Sequence, residues 1–488
     1  MRPWTRSSKS RRRTPKYVLA ARTDGLGERL NALLNAIRLS DLLDVEFRFT
    51  WPPVNEDNQS DRAIVPADEF FSADFLAAHR VDHDEWEDGF VLPAGLADDV
   101  DSLRAQLEAA EHGLWAPNRS LAHRIDPQAL PAVLRGYSSE FSRIGFDPRI
   151  EAVISAARAV PLGADPVGIH LRSGDIVHGR FRIWMRFTEK VMSAPVARYL
   201  IETYRGAGSM VLVFGQEADL IKRLCASTGA VDAATLRPAT EMSDVAAAMF
   251  DMILMTRCAH IISGPSGFAI QAASVGDKKV EDFRELLTAS EIVAITRADL
   301  ARQGETYHPR IRAFASWSAY YWARRKLTSG EAIELIGAAL EADPDNPRYQ
   351  LRAAGLEYRE GRQARGDDAL RDALMRDVAR GVETLDSVLL FAAKHSSNQY
   401  DCRDVVTDFE RAADEGSGIA ALYRAGLRAT VGDTDGLAED VASFEARIGA
   451  DDPLTRIEAL DALIRATLTE LKVTGGAVRP SPRWDQVR

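Results

Sequence analysis

The stretch 165–181, DPVGIHLRSGDIVHGRF, decides the fold, because an apolar run stops abruptly at a group of polar residues. VGIHL is typical of a buried strand, and Arg172, Gly174 and Asp175 follow it. Open α/β sheets bind ligands at the carboxyl ends of their strands, and the fixed fork of an arginine matches phosphate oxygens. The stretch therefore predicts a strand end with an anion-binding arginine. A simpler interpretation, in which Arg172 and Asp175 only pair to hold the turn, stays open.

Strands and helices alternate around this stretch, from about residue 161 to 300. MVLVFG and HIIS are predicted strands, and helices are predicted after Pro195, after Glu217 and over MSDVAAAMFDMILMTRCA. This alternation indicates parallel strands with right-handed crossovers. We expect one α/β unit here.

A second α/β unit is predicted over residues 17–160. YVLAAR and VEFRFTW are predicted strands on either side of an apolar-periodic helix, GERLNALLNAIRLSDLL. In RTDGLGERL, Gly25 and Gly27 stand between strand and helix, where backbone amides and the helix dipole favour an anion. A turn with no ligand is the alternative.

The segment 260–276, HIISGPSGFAIQAASVG, again leads from a strand through a serine-rich and glycine-rich loop into a helix. Ser263, Ser266 and the amides of Gly267 and Phe268 would form a small anion cradle. A cap and turn without a ligand is again the alternative.

Residues 301–488 are predicted to be helical throughout. ALEADPDNPRYQLRAAGLEYREGR resembles a tetratricopeptide repeat junction, with weaker echoes further on. The alternative is a plain helical cap on the preceding α/β unit. At the other end, residues 1–16 are predicted to form a disordered basic arm.

Composition limits the function classes. The 488 residues carry a formal net charge of -11, which argues against a surface dedicated to nucleic acid. Cys225, Cys258 and Cys402 are far apart without a CxxC pair, so no disulfide framework or zinc site is predicted. The N-terminus lacks the apolar block of a secretory signal, and no apolar run is long enough to span a bilayer. We expect a cytoplasmic protein, with peripheral contact of the basic arm at the inner membrane face as an option.

Two short patterns invite a metal-binding interpretation. DVD at 99–101 lies at a helix start, where capping is the favoured role. His79 and His83 are four residues apart, but a solvated helix face is favoured over a metal site.

Three motifs together resemble a known family. HLRSGDIV is similar to the His-x-Arg-x-Gly-Asp motif of the fucosyltransferase-like superfamily. DMILMTRCAHIISGPSGFAIQAASVG looks like a later motif of these proteins, and DGLGERLNALLNA resembles their glycine-rich N-terminal motif. The resemblance covers about residues 17–285. It implies two facing Rossmann-like domains of the GT-B type, divided here into 17–160 on the acceptor side and 161–300 on the donor side. The all-α, TPR-like region, residues 301–488, follows them and lies outside this resemblance. The resemblance also implies inverting transfer, a GDP-sugar donor and no required metal or other cofactor.

Site residues follow from the same resemblance. Arg172 would bind the donor's β-phosphate and help to neutralise the departing GDP, and Glu28 or Asp24 is expected as the base toward the acceptor hydroxyl. Glu28 and Gln216 depart from the family pattern, in which many relatives have an uncharged residue and an aspartate respectively. The predicted donor-binding residues are Gly25, Gly27, Arg29, His170, Arg172, Asp175, Ser263, Ser266, Gly267 and Phe268.

The sequence thus predicts a glycosyltransferase that moves a sugar, with fucose first among the candidates, to a glycan, a lipid-linked saccharide or a protein. Two alternatives stay open, namely a non-catalytic scaffold that presents the TPR-like helices to partners and a UDP-sugar-dependent GT-B transferase. The C-terminal helices are expected to bind the acceptor or a protein partner.

Overall fold

The structure is a computed structural model, and it describes residues 15–52, 64–82, 89–92, 99–380, 404–431 and 434–448, apart from single positions 124, 129, 184 and 240. The predicted basic arm therefore lies almost wholly outside the described residues. His83 and Cys402 lie outside them as well. The strands are β1 Tyr17–Ala20, β2 Glu46–Phe49, β3 Phe90–Val91, β4 Gly113–Trp115, β5 Val167–Leu171, β6 Val211–Gly215, β7 Val231–Asp232, β8 His260–Ser263 and β9 Val280–Asp282.

Helices connect these strands and make up the described part of the C-terminal region. The α-helices are α1 Leu26–Leu43, α2 Ala67–Phe70, α3 Ala73–His79, α4 Val100–Ala109, α5 Ser138–Phe141, α6 Pro148–Ala159, α7 Gly174–Val177, α8 Ala194–Gly206, α9 Ala218–Thr228, α10 Asp244–Thr256, α11 Gly267–Val275, α12 Phe283–Leu286, α13 Ala289–Gln303, α14 Pro309–Ala323, α15 Ser329–Ala342, α16 Pro347–Arg359, α17 Gln363–Arg380, α18 Val406–Asp414, α19 Gly418–Val431 and α20 Thr434–Ile448. Short 3-10 helices occupy Leu121–His123, Pro131–Leu134, Arg180–Ile183, Met185–Lys190, Ala233–Leu236 and Gly304–Thr306.

The strands form two parallel sheets. The first has the order β2-β1-β4-β3 and the second the order β7-β6-β5-β8-β9. The pairings β1–β2, β1–β4, β3–β4, β5–β8 and β6–β7 are all parallel. The predicted parallel α/β fold is thus confirmed. In each sheet the order reverses beside the first strand, between β1 and β4 and between β5 and β8, and such switch points are where open α/β sheets bind ligands.

The chain divides into two compact units. Unit 1 consists of the described residues within 1–170, 208–214 and 231–281, and unit 2 of those within 171–207, 215–230 and 282–488. Both units combine separate stretches of the chain, and the domain boundaries proposed at residues 160 and 300 stay a prediction.

Unit 1 contains a continuous apolar core. α1 runs along the first sheet and buries most of its length, including Leu30, Leu33 and Ile37. β5 is buried at all five positions, which fits its mostly apolar sequence, and His170 is its one polar residue. Asp99 accepts a hydrogen bond from the Ser102 amide (2.7 Å) and so caps α4, which confirms the capping role predicted for the DVD pattern.

The described C-terminal part of unit 2 contains helices but no strand. Successive helices from α13 to α17 pack against one another, as do α18, α19 and α20. Trp317 is fully buried in this helical core. The guanidinium carbons of Arg348 and Arg352 lie 5.2 and 4.7 Å from its ring centroid, so both cations rest on one aromatic surface.

We expect Gly113→Ala to destabilise the protein by about 1–3 kcal/mol, the range of overpacked interiors. A Cβ atom at Gly113 would lie 1.9 Å from the carbonyl oxygen of Tyr17, so β1 and β4 would have to separate. Urea unfolding measures the change. Gly337→Ala is the control, since no atom lies within 4 Å of a Cβ in α15 there, and it should be neutral or slightly stabilising. Equal stability of both variants would contradict the prediction.

Candidate functional site

In unit 1 the start of α1 lies against the start of α11. A Cβ atom at Gly27 would be 3.4 Å from the amide nitrogen of Phe268 and 3.5 Å from the carbonyl carbon of Gly267. Gly25 is the N-cap of α1, and no side chain caps either helix. Two partially positive helix ends therefore meet at this point, which favours a negative group between them.

Glu28 provides such a group. One carboxylate oxygen lies 2.8 Å from the position of a Cβ at Gly267, and the other accepts a hydrogen bond from Asn118 Nδ2 (2.7 Å). The structure thus brings together Gly27, Glu28, Gly267 and Phe268, which were predicted from two separate motifs. The predicted anion cradle at Gly267 has a carboxylate of the chain itself beside it.

Asp24, the other predicted base, is paired within its own loop. Arg22 donates to both carboxylate oxygens of Asp24, and its Nε–Oδ1 distance is 3.1 Å. The hydrogen bond with Asp24 raises the pKa of Arg22 and outweighs burial, which acts to lower it. Of the two predicted bases, Glu28 is therefore the one that lies at the helix ends.

Arg29 is buried and holds the same loop. Its Nε donates to the carbonyl of Asp24 (2.6 Å), and its Nη1 donates to the carbonyl of Pro52 (2.7 Å). The guanidinium also lies over the ring of Trp51. These contacts position the turn before α1, and a direct donor contact from Arg29 stays a prediction.

His170 and Ser263 occupy the switch point between β5 and β8, and both are buried. The Ser263 hydroxyl donates to the carbonyl of His170 (3.2 Å), and His170 Nδ1 lies 3.2 Å from the same hydroxyl oxygen. The His170 ring is 5.7 Å from that of Phe268. This arrangement joins the strand ends to the first turn of α11, where Ser266 is the buried N-cap residue.

Gln271, which sequence reasoning missed, lies one turn into α11. It is fully buried, and neither atom of its amide has a hydrogen-bond partner among the described residues. Its oxygen points toward Gly27, 3.4 Å from a Cβ position there. Buried amides are normally hydrogen-bonded, so this one suits a polar group of a ligand at the helix ends.

In unit 2, Arg172 follows β5 directly and is held by two neighbours. Its Nη1 and Nη2 atoms donate to the two carboxylate oxygens of Asp175, with 2.9 Å from Nη2 to Oδ2, and Nη1 also donates to Gln216 Oε1 (3.0 Å). Arg172 and Asp175 therefore do form the pair that the simpler interpretation of this turn predicts. It uses one edge of the guanidinium, while Nε–H and the second Nη2–H, which form the other edge, have no partner in the part of the chain that the structure describes.

A histidine pair lies close by in unit 2. His178 Nε2 is 3.1 Å from the largely buried carboxylate of Glu217, and the rings of His178 and His308 are 4.8 Å apart. Burial and the neighbouring His178 lower the pKa of His308. Glu217 adjoins Gln216 in sequence, so both residues belong to the turn after β6.

The metal-binding patterns find little support in the described residues. No group of three or more His, Cys, Asp or Glu side chains there could hold a metal ion. His79 stacks on Phe47 at a ring distance of 4.0 Å, which is a packing role, and burial lowers its pKa. No helix in the described ranges combines the length and apolar character needed to cross a membrane.

Comparison with solved structures gives the relatives that the motifs predict. The chain is similar to fucosyltransferase NodZ. NodZ from Bradyrhizobium matches with a TM-score of 0.32 and 16% identity, over 53% of this chain and 91% of that chain. NodZ alpha-1,6-fucosyltransferase soaked with GDP-fucose gives a TM-score of 0.33 and 14% identity, over 54% and 93%. The apo form of POFUT1 gives a TM-score of 0.30 and 11% identity, over 55% of this chain and 98% of that chain.

No protein-family model and no curated protein matches the chain. The similarity to NodZ and POFUT1 covers just over half of it. Identities and TM-scores this low carry no statement about activity, which has to be argued from the chain's own residues.

Proposed function

We propose that the protein is an inverting glycosyltransferase that uses a GDP-sugar, with fucose as the first candidate sugar. The observation that carries the proposal is the open edge of the Arg172 guanidinium. Asp175 and Gln216 fix the plane of the group, and the side chain keeps about a quarter of its surface exposed. A fixed pair of donors at the end of a buried strand is suited to two oxygens of one phosphate.

The proposed reaction is a direct displacement. The acceptor's hydroxyl oxygen bonds to the anomeric carbon of the sugar while the bond from that carbon to the β-phosphate oxygen breaks. The electron pair of the broken bond leaves with GDP, and the hydroxyl proton passes to a base. Arg172 neutralises charge that develops on the leaving diphosphate, which is the part of such a reaction that electrostatics assists most.

Glu28 is the proposed base. Asn118 orients its carboxylate, which lies beside the start of α11. The amides at the start of α11, together with Ser266, Gly267 and Phe268, are proposed to bind phosphate or sugar. The role of the arginine removes the need for a divalent ion, so we propose that no metal or other cofactor takes part.

The remaining parts of the proposal concern partners. The acceptor is a glycan, a lipid-linked saccharide or a protein, and the TPR-like C-terminal helices bind this acceptor or a protein partner. We propose a cytoplasmic location, with the basic arm in contact with the inner membrane face. A scaffold without activity and a transferase specific for UDP-sugars are the competing proposals, and nucleotide binding separates them.

We expect Arg172→Ala to weaken GDP binding about thirtyfold. The loss of charge-assisted hydrogen bonds to a phosphate is worth about 2 kcal/mol. Calorimetric titration of GDP, UDP and GDP-fucose into the wild type and the variant, without metal and with magnesium, measures the effect.

Arg284→Ala is the matched control, because Arg284 forms a comparable pair with Asp282 in unit 2 and has no proposed role. Its affinity for GDP should equal that of the wild type. Preference for UDP would shift the proposal to the other transferase class. Absence of nucleotide binding would favour the scaffold without activity.

A further inference from the structure

A cavity of about 700 Å³ opens at the carboxyl ends of β1, β3 and β4, within unit 1. This is the switch point of the first sheet, the place where ligands bind in such sheets. Its volume lies within the usual range for small-molecule sites. The side chains that line the cavity include those of Arg22, Phe90, Leu92, Trp115, Asn118 and Arg119.

One group of the lining residues is apolar and aromatic. The rings of Phe90 and Trp115 meet edge to face at a centroid distance of 6.1 Å. Leu92 belongs to the same group and keeps 42% of its surface exposed. Aromatic rings together with polar side chains in one cavity suit a ligand that has both C–H faces and hydroxyl groups, which describes a saccharide ring.

A second group of the lining residues is cationic. No carboxylate is among the described residues that line the cavity, whereas Arg22 and Arg119 both line it. Asp24 balances Arg22, but the exposed guanidinium of Arg119 has no ion-pair partner among the residues described. In a chain with a net charge of -11, these arginines make the cavity selective for a negative group.

Hydrogen bonds hold the backbone that carries Asn118 and Arg119. Asn35, buried in α1, donates through Nδ2 to the carbonyl oxygens of Pro117 (2.7 Å) and Arg119 (2.9 Å). Asn118 stands between them and donates to Glu28. The Asn118 side chain therefore lines the cavity and contacts the Glu28 carboxylate, and the backbone on either side of it is held by Asn35.

We propose that this cavity binds the acceptor, and that the acceptor is a saccharide unit bearing an acidic group. The sugar ring lies on Trp115, the acid pairs with Arg119, and the reacting hydroxyl faces Asn118 and Glu28. The assignment of the cavity to the acceptor rests on the proposed function. The acid is a carboxylate or a phosphate, since both match a guanidinium fork.

The test is calorimetric titration of the full chain with four probes. They are a disaccharide ending in glucuronic acid, the same disaccharide ending in glucose, glucose 6-phosphate and inorganic phosphate. We expect an acidic sugar to bind about tenfold more tightly than the neutral one, and the better of the two acidic sugars identifies the acid. Arg119→Gln should abolish this preference, and Trp115→Ala should weaken the neutral and acidic disaccharides alike.

Arg104→Gln is the control, since Arg104 is an exposed arginine of α4 that does not line the cavity, and it should bind every probe like the wild type. Equal binding of neutral and acidic sugars, no binding of any sugar, or unchanged preference in Arg119→Gln would overturn the proposal. Inorganic phosphate that binds as tightly as the acidic sugars would overturn it too.

Titration of GDP into the same samples separates the two proposals. Binding of GDP without binding of the sugars refutes the acceptor cavity alone. Binding of the acidic sugar without GDP refutes the proposed function and supports the saccharide site.

Discussion

Glu28→Gln lowers the rate of sugar transfer by about 100-fold or more, the usual contribution of a general base, while affinity for GDP does not fall. The amide has the shape of the carboxylate and still accepts a hydrogen bond from Asn118, so the local structure is kept. It cannot take the proton of the hydroxyl. The measurement is single-turnover release of GDP from the GDP-sugar that binds, with acceptor or with water.

Asp24→Asn is the comparison, because Asp24 was the other predicted base. Its carboxylate is occupied by Arg22, so we expect most of the activity to remain. A full rate in Glu28→Gln, or an equal loss in both variants, would remove Glu28 from the proposed reaction. A full rate in both Glu28→Gln and Asp24→Asn would favour a mechanism in which the protein supplies no base.

Arg38→Met destabilises unit 1 by about 3–5 kcal/mol, as expected when one partner of a buried ion pair is removed. Arg38 lies 3% exposed in α1, and its Nε donates to Glu140 Oε1 at 2.6 Å. It also donates to the carbonyls of Arg135 and Gly136 and lies 3.7 Å from the ring centroid of Tyr137. Methionine fills the space and leaves these acceptors unpaired. Urea unfolding at neutral pH gives the loss.

Arg143→Met provides a matched control. Arg143 also joins the α5 region to α1, through Asp41, but both side chains are about half exposed. Exposed pairs contribute at most about 1 kcal/mol. If both variants lost the same stability, burial of the Arg38 pair would not be the cause. Adding Glu140→Leu to Arg38→Met should recover part of the loss.

The same pair predicts sensitivity to acid. Burial acts to raise the pKa of Glu140, but hydrogen bonds from Arg38 and Ser139 outweigh it and hold that pKa below the ordinary 4.5. A carboxyl with a depressed pKa in the folded state stabilises the fold above its unfolded pKa and loses this effect as pH falls through the folded value. The stability difference between the wild type and Arg38→Met should therefore shrink below pH 4.5.

Much of the fold was predictable because its signals are local. The predicted strands at YVLAAR, MVLVFG and HIIS correspond to β1, β6 and β8, and the predicted helix after Gly25 is α1. β3 and β4 were not predicted. They contain two and three residues, so their strand conformation depends on pairing with the sheet rather than on a sequence pattern.

The candidate site was predictable only in part, for the same reason. The Arg172–Asp175 pair spans three positions and was foreseen as a pairing. Asn118 was missed, because it is 90 residues from Glu28 and only the folded chain brings the two together. Its position just after β4 would have been the signal, had that strand been recognised.

The order of strands in the second sheet has a consequence during synthesis of the chain. β5, its middle strand, leaves the ribosome first, and β6 and β7 complete only one side of it. Ser263 at the end of β8 follows His170 of β5 by 93 residues, which takes on the order of ten seconds to translate. During that interval the other edge of a strand that is buried at every position in the folded protein is unpaired, and such edges nucleate aggregation. The yield of folded protein should therefore depend on whether a chaperone shields the nascent chain until β8 has emerged.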